Sequence, residues 1–235
     1  MKFLDYDSPL MQFLTKVANL MIINGLTLLC CLPIVTVGAA LTAAHYMCMK
    51  MVRNEDGPIV KGYFKAFKES IRQATPVWFV LLLIILVLLG DYLIVFRSGI
   101  TFPYWFQVAL TAVAFIGLFL WIMVFPVMGK FENTTLRTLK NALIISIAKF
   151  PITLAMIVLN AIPIILMLLF IQILPLILMF GITVPAYIGA LMLNKYFKKL
   201  EGHIIEAQIA SGVIVPEPEV DDSEKIFHDI PEEKQ

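Results

Sequence analysis

The chain has 235 residues, 60% of them apolar and 15% charged, with a mean hydropathy of +0.89 and a formal net charge of +1. That apolar content exceeds what a water-soluble domain of this length can bury, so composition excludes an ordinary soluble globule and makes lipid the solvent. The near-neutral balance implies no nucleic-acid partner, and three cysteines in or beside one apolar run (Cys30, Cys31, Cys48) supply neither a disulfide framework nor a Cys-x-x-Cys zinc or redox pair.

In chain order, residues 1–16 mix Asp5, Asp7 and Lys16 with Phe3, Leu4, Phe13 and Leu14, the pattern of an N-terminal interfacial segment at the headgroup boundary. The acidic start and the length of the following apolar run are unlike a signal peptide. Residues 17–49 form the first expected span. As one helix it would reach about 50 Å, more than a bilayer's hydrocarbon core. It therefore tilts with a kink at Pro33 or breaks there, with Thr36 and Gly38 placed to serve the backbone groups that proline frees. Gly38/Thr42, Ala39/Ala43 and Ala40/Ala44 are overlapping small-x-x-x-small pairs, a helix-packing motif that lets another backbone approach closely.

The next segment carries Lys50, Arg53, Lys61, Lys65, Lys68 and Arg72. Within it Tyr63, Phe64, Phe67 and Ile71 recur at helical spacing, predicting an amphipathic helix on the membrane surface, with Phe64, Lys65, Phe67, Lys68 and Arg72 as a cytoplasmic amphipathic surface. Further spans are expected at 77–96, 102–128, 152–170 and 174–193, the last two separated by a turn at 172–175. A second basic loop lies between 130 and 149. Residues 201–235 read as an acidic tail, largely disordered. The fold class is thus all-α: a polytopic membrane helix bundle with about five transmembrane helices, surface amphipathic helices in its cytoplasmic loops, and a transmembrane domain over 17–200. With five spans the basic loops and the C-terminus are cytoplasmic and the N-terminus is outside.

Asp91 is the only carboxylate within an expected span, close in sequence to Arg97; pairing or interfacial solvation there stands beside a proton or ion role. With Asn24 and Asn160 it defines a candidate polar cavity of the kind broken helices line in transporters, although such residues also bond across helix pairs. His45, Cys48 and Met49 are soft ligand types on one helix face, read as packing; no metal site and no cofactor is expected. No hydrolase, zinc-protease or phosphate-loop signature is present, so the chain is not expected to be an enzyme.

Cys31-Leu-Pro-Ile-Val-Thr-Val-Gly38 with the small residues after it, Tyr63-Phe64-Lys-Ala-Phe67-Lys68, and Asn141-Ala142 before Phe150-Pro151 resemble the YesL-like family of bacterial membrane proteins. The resemblance implies a multi-pass protein of the cytoplasmic membrane of a Gram-positive bacterium, an accessory or regulatory component beside carbohydrate ABC uptake. Its implied partners are the lipid bilayer and subunits of such an importer, one of whose helices would dock on the alanine face. It carries over no catalytic residue. The competing expectation is a free-standing small-molecule transporter with a midplane polar cavity.

Overall fold

The computed structural model describes residues 9–55, 57–98, 103–131 and 134–210. Among them every regular element is helical: α1 (Pro9–Cys31), a 3₁₀ turn (Ile34–Thr36), α2 (Val37–Arg53), α3 (Ile59–Ser98), α4 (Tyr104–Met128), α5 (Thr135–Ala148), α6 (Phe150–Leu169), a second 3₁₀ turn (Ile171–Ile173), α7 (Leu174–Phe180) and α8 (Thr183–Ala210). Five segments are long and apolar enough to cross a bilayer: Pro9–Cys31, Ile34–Arg53, Ile59–Ile94, Tyr104–Met128 and Phe150–Leu169. A further pair, Ile171–Phe180 and Thr183–Leu200, meets the same test with a 50° bend between its halves. The expected acidic tail lies outside the described residues beyond Ala210, as does the start of the expected interfacial segment; its remainder forms the first turns of α1.

The partition of the chain into spans differs from the expectation at its first step. Of the two expected outcomes residues 17–49 break at Pro33 rather than kink, but into two spans rather than one interrupted span. The chain reverses between Cys31 and Val37, and α1 and α2 form an antiparallel pair closed at its far end, where Lys16 Nζ donates to Asn54 Oδ1 at 2.9 Å. The start of α1 therefore lies at the same end as the basic segment after α2, not opposite it as a single span would place it. The reversal is held locally. Pro33 breaks the helix, Thr36 N–H donates to the Pro33 carbonyl at 3.1 Å, and the Thr36 hydroxyl donates to the Cys30 carbonyl at 2.7 Å, with the Pro33 carbonyl at 2.9 Å as a shared acceptor. At the other end Asn54, in the left-handed region at φ 55°, terminates α2; its own N–H and that of Glu55 return to the carbonyls of Met51 and Lys50.

α2 is the central helix. Gly38, Ala39, Ala40, Thr42, Ala43, Ala44, Met47, Cys48, Met49 and Met51 are all buried, and α1, α3 and α4 pack around it. Small side chains explain why neighbours come so close: a Cβ on Gly38 would sit 2.8 Å from Trp78 Cβ and 2.9 Å from the Ala74 carbonyl oxygen. Lipid tails are as apolar as leucine, so this association rests on dispersion contacts and backbone approach rather than on hydrophobic transfer.

α3 is one helix of 40 residues running straight through Pro76. The expected surface helix and the expected second span are therefore its two halves. Tyr63 is fully buried and donates its hydroxyl to the Ala40 carbonyl at 3.3 Å, Ala66 and Ala74 are buried, and Gly62 receives the end of Met47. Of the apolar stripe of the basic half, Tyr63 thus faces α2, while Phe64 and Ile71 stay on the outward side. The exposed side keeps Phe64, Lys65, Lys68, Ile71 and Arg72, with Phe67 half-buried. Past Trp78, α3 pairs antiparallel with α4, the rings of Trp78 and Trp121 lying 5.6 Å apart and Gly117 meeting Ile84. Outward residues there are large and apolar, Leu83 being 62% and Phe115 60% exposed, the inversion expected where the solvent is hydrocarbon.

The basic loop after α4 folds as helix α5. α6 then packs against α7 and α8, with Met156 on Gly189. The chain divides into two compact units, Met1–Asn194 and Lys195–Gln235; in the second, residues 195–210 continue the helix begun as α8.

Candidate functional site

The three residues expected to line a polar cavity do not converge on one. Asn24 is fully buried on α1 and bridges the break between α7 and α8: its Nδ2 donates to the Leu178 carbonyl at 2.8 Å, and its Oδ1 accepts from the N–H groups of Ile182 at 3.0 Å and Thr183 at 3.1 Å. The Thr183 hydroxyl adds a bond to the Leu20 carbonyl at 3.1 Å, and the Cys48 thiol approaches the Thr183 carbonyl at 3.8 Å. Asn160 donates to Met156 in its own helix at 2.8 Å. Asp91, on the far half of α3, has a buried Oδ1 without a hydrogen-bond partner among the described residues. The space beside the α7–α8 bend is apolar, about 350 Å³ between Leu159, Pro163, Ile177, Phe180 and Pro185.

The helix-packing residues are occupied within the chain itself. Ala39, Ala40, Ala43 and Ala44 have no exposed surface, so the alanine face expected to receive a permease helix already holds α1, α3 and α4. Pro33 and Thr36 make the reversal described above. His45, Cys48 and Met49 are packed, Met49 against Gly129, and among the described residues no three His, Cys, Asp or Glu side chains form a metal-binding group.

A depression lies at the basic end, where α2, α3, α4 and α5 meet. It measures about 860 Å³ and is lined by Tyr46 and Ala66, by Glu69, Ser70, Arg72 and Gln73 of α3, and by Met128, Gly129, Lys130, Phe131, Thr134, Thr135 and Arg137. Its floor forms because α4 ends at Gly129, where a Cβ would stand 3.1 Å from Tyr46 N and 3.3 Å from the Thr42 carbonyl oxygen. Gln73 Nε2 donates to Thr138 Oγ1 at 2.8 Å and ties α3 to α5, holding the neighbouring Arg72 and Arg137 on facing walls. Among the described residues three cations, Arg72, Lys130 and Arg137, face this space with one carboxylate, Glu69. Thr134 precedes α5 without a side-chain cap, so among the described residues no side chain caps the first-turn N–H groups of α5. Sequence reasoning saw these charges as two separate loops. The signal that joins them is Gln73 next to Arg72 and Thr138 next to Arg137, legible only once the helices are placed.

These features define an integral membrane protein, a bundle of apolar helices around a small-residue core with its charges gathered at one end. A family described as "Protein of unknown function, DUF624" matches residues 20–92, which takes in most of α1, all of α2 and α3 as far as Tyr92. Searches of curated proteins and of solved structures returned no match.

Proposed function

We propose that the protein is a non-catalytic accessory or regulatory subunit of a carbohydrate ABC importer, seated in a bacterial cytoplasmic membrane with its basic end and C-terminus toward the cytoplasm. The orientation follows from charge: Lys16, Lys50, Lys61, Lys65, Lys130 and Arg137 gather at one end of the helices, while Arg97 stands in the last turn of α3 at the other. Supporting the accessory role is the use made of intramembrane polar side chains. Asn24 and Asn160 are spent on backbone groups, so neither offers a lining to a solute, whereas Phe64, Lys65 and Lys68 stand exposed on α3 where a partner can meet them. The importer as partner class comes from the YesL-like resemblance.

Purification in a mild neutral detergent tests this. An importer permease or sugar-binding subunit should accompany the wild-type chain and be lost from the Phe64→Glu/Lys68→Glu variant, and a chain that always elutes alone overturns the reading. A free-standing transporter is the second reading, favoured by the 50° bend between α7 and α8 beside Pro163 and Pro185. Solute uptake by the protein reconstituted alone would establish it.

A further inference from the structure

We propose that the basin between α3, α4 and α5 is a binding site for a phosphate ester, the phosphoryl group resting between Arg72, Lys130 and Arg137. This is independent of any importer association.

Among the described residues the walls carry three positive side chains against one negative, in a concavity that concentrates field lines on an anion. Arginine offers a planar fork of donors suited to phosphoryl oxygens, and two arginines face the space from different helices. The 2.8 Å bond from Gln73 to Thr138 joins the residues next to each and so ties together the helices that carry them. Hydroxyls of Ser70, Thr134 and Thr135 line the same space and have no hydrogen-bond partner among the described residues. The N-terminus of the 14-residue α5 adds its uncapped donors and the positive end of its dipole.

Size narrows the ligand. At about 860 Å³ the basin exceeds a bare phosphate and lies within the range of sites for small organic molecules, so it takes the ester together with its glycerol- or sugar-sized substituent. A basic helix end beside lipid-facing helices can draw such an ester from the leaflet, as a phospholipid headgroup, or from solution, as a phosphorylated metabolite.

The full-length protein in a neutral detergent at constant ionic strength separates the two sources. sn-Glycerol 3-phosphate is titrated as the soluble probe, and phosphatidylglycerol in mixed micelles as the lipid probe, against phosphatidylcholine. Binding is read from the unfolding midpoint and by calorimetry. Saturable binding of glycerol 3-phosphate assigns a soluble ester; saturable binding confined to phosphatidylglycerol assigns a headgroup. In either case Arg72→Gln/Arg137→Gln weakens binding about tenfold or more. Both arginines are exposed, so that variant should unfold at the wild-type midpoint without probe. Lys61→Gln/Lys65→Gln, which removes equal charge from α3 outside the basin, changes affinity less than about twofold. Glu69→Gln tightens binding, since it removes a negative charge from the wall. The proposal is overturned if neither probe saturates the wild-type protein, or if the arginine and lysine variants lose affinity equally.

Discussion

Two interruptions of the helical path, one at Pro33 and one at Gly181–Ile182, solve the same problem by opposite means. Each frees backbone groups in a setting where hydrocarbon offers no hydrogen bond. At Pro33 the repair is local: Thr36, three residues on, serves the Cys30 carbonyl, and the chain folds back on itself. At Gly181–Ile182 it is remote: Asn24, 158 residues earlier in sequence than Ile182, bonds both sides of the break, and the chain bends by 50° without reversing. A locally repaired break can form as soon as it is synthesised. A remotely repaired one waits for α1 and α8 to meet, and its stability is then coupled to the whole bundle.

The largest effect should come from Asn24→Ala, which strands two N–H groups and one carbonyl away from water. A loss of about 3 kcal/mol or more is expected, read from denaturant unfolding in detergent, and a loss below about 1 kcal/mol would mean that the α7–α8 bend supports itself. Gly38→Ala comes next. Its new Cβ meets Trp78 Cβ and the Ala74 carbonyl, neither of which can swing aside, for about 1–3 kcal/mol. Thr36→Val removes the local donor at the half-exposed reversal and should cost about 1 kcal/mol, with Thr36→Ser close to wild type; a cost matching that of Asn24→Ala would erase the distinction between the two repairs. Gly189→Ala should be smallest, within about 0.5 kcal/mol, because the atom in its way is the flexible end of Met156.

Much of the bundle was legible in the sequence because a bilayer demands long uncharged helices, and 102–128 and 152–170 fall within two residues of α4 and α6 at each end. The reversal after α1 was not. A turn facing water announces itself with glycine, asparagine or aspartate, but here the exposed apex is Leu32, Pro33, Ile34 and Val35, all apolar, so only the proline marked it. The basic half of α3 was legible only in part for a related reason: an amphipathic pattern shows that one face is apolar, not how much of it another helix covers. Tyr63 reads the same in either case until Ala40 is seen beside it. The basin was hidden because its two arginines are brought together by a pair of residues 65 apart.

α3 spans about 60 Å at 1.5 Å per residue, roughly twice a bilayer's hydrocarbon thickness. A rod of that length is a lever. Tilting it by a few degrees about its middle would swing Lys61 and Arg97 in opposite senses, carrying the two ends of the helix apart by a distance that grows with its length.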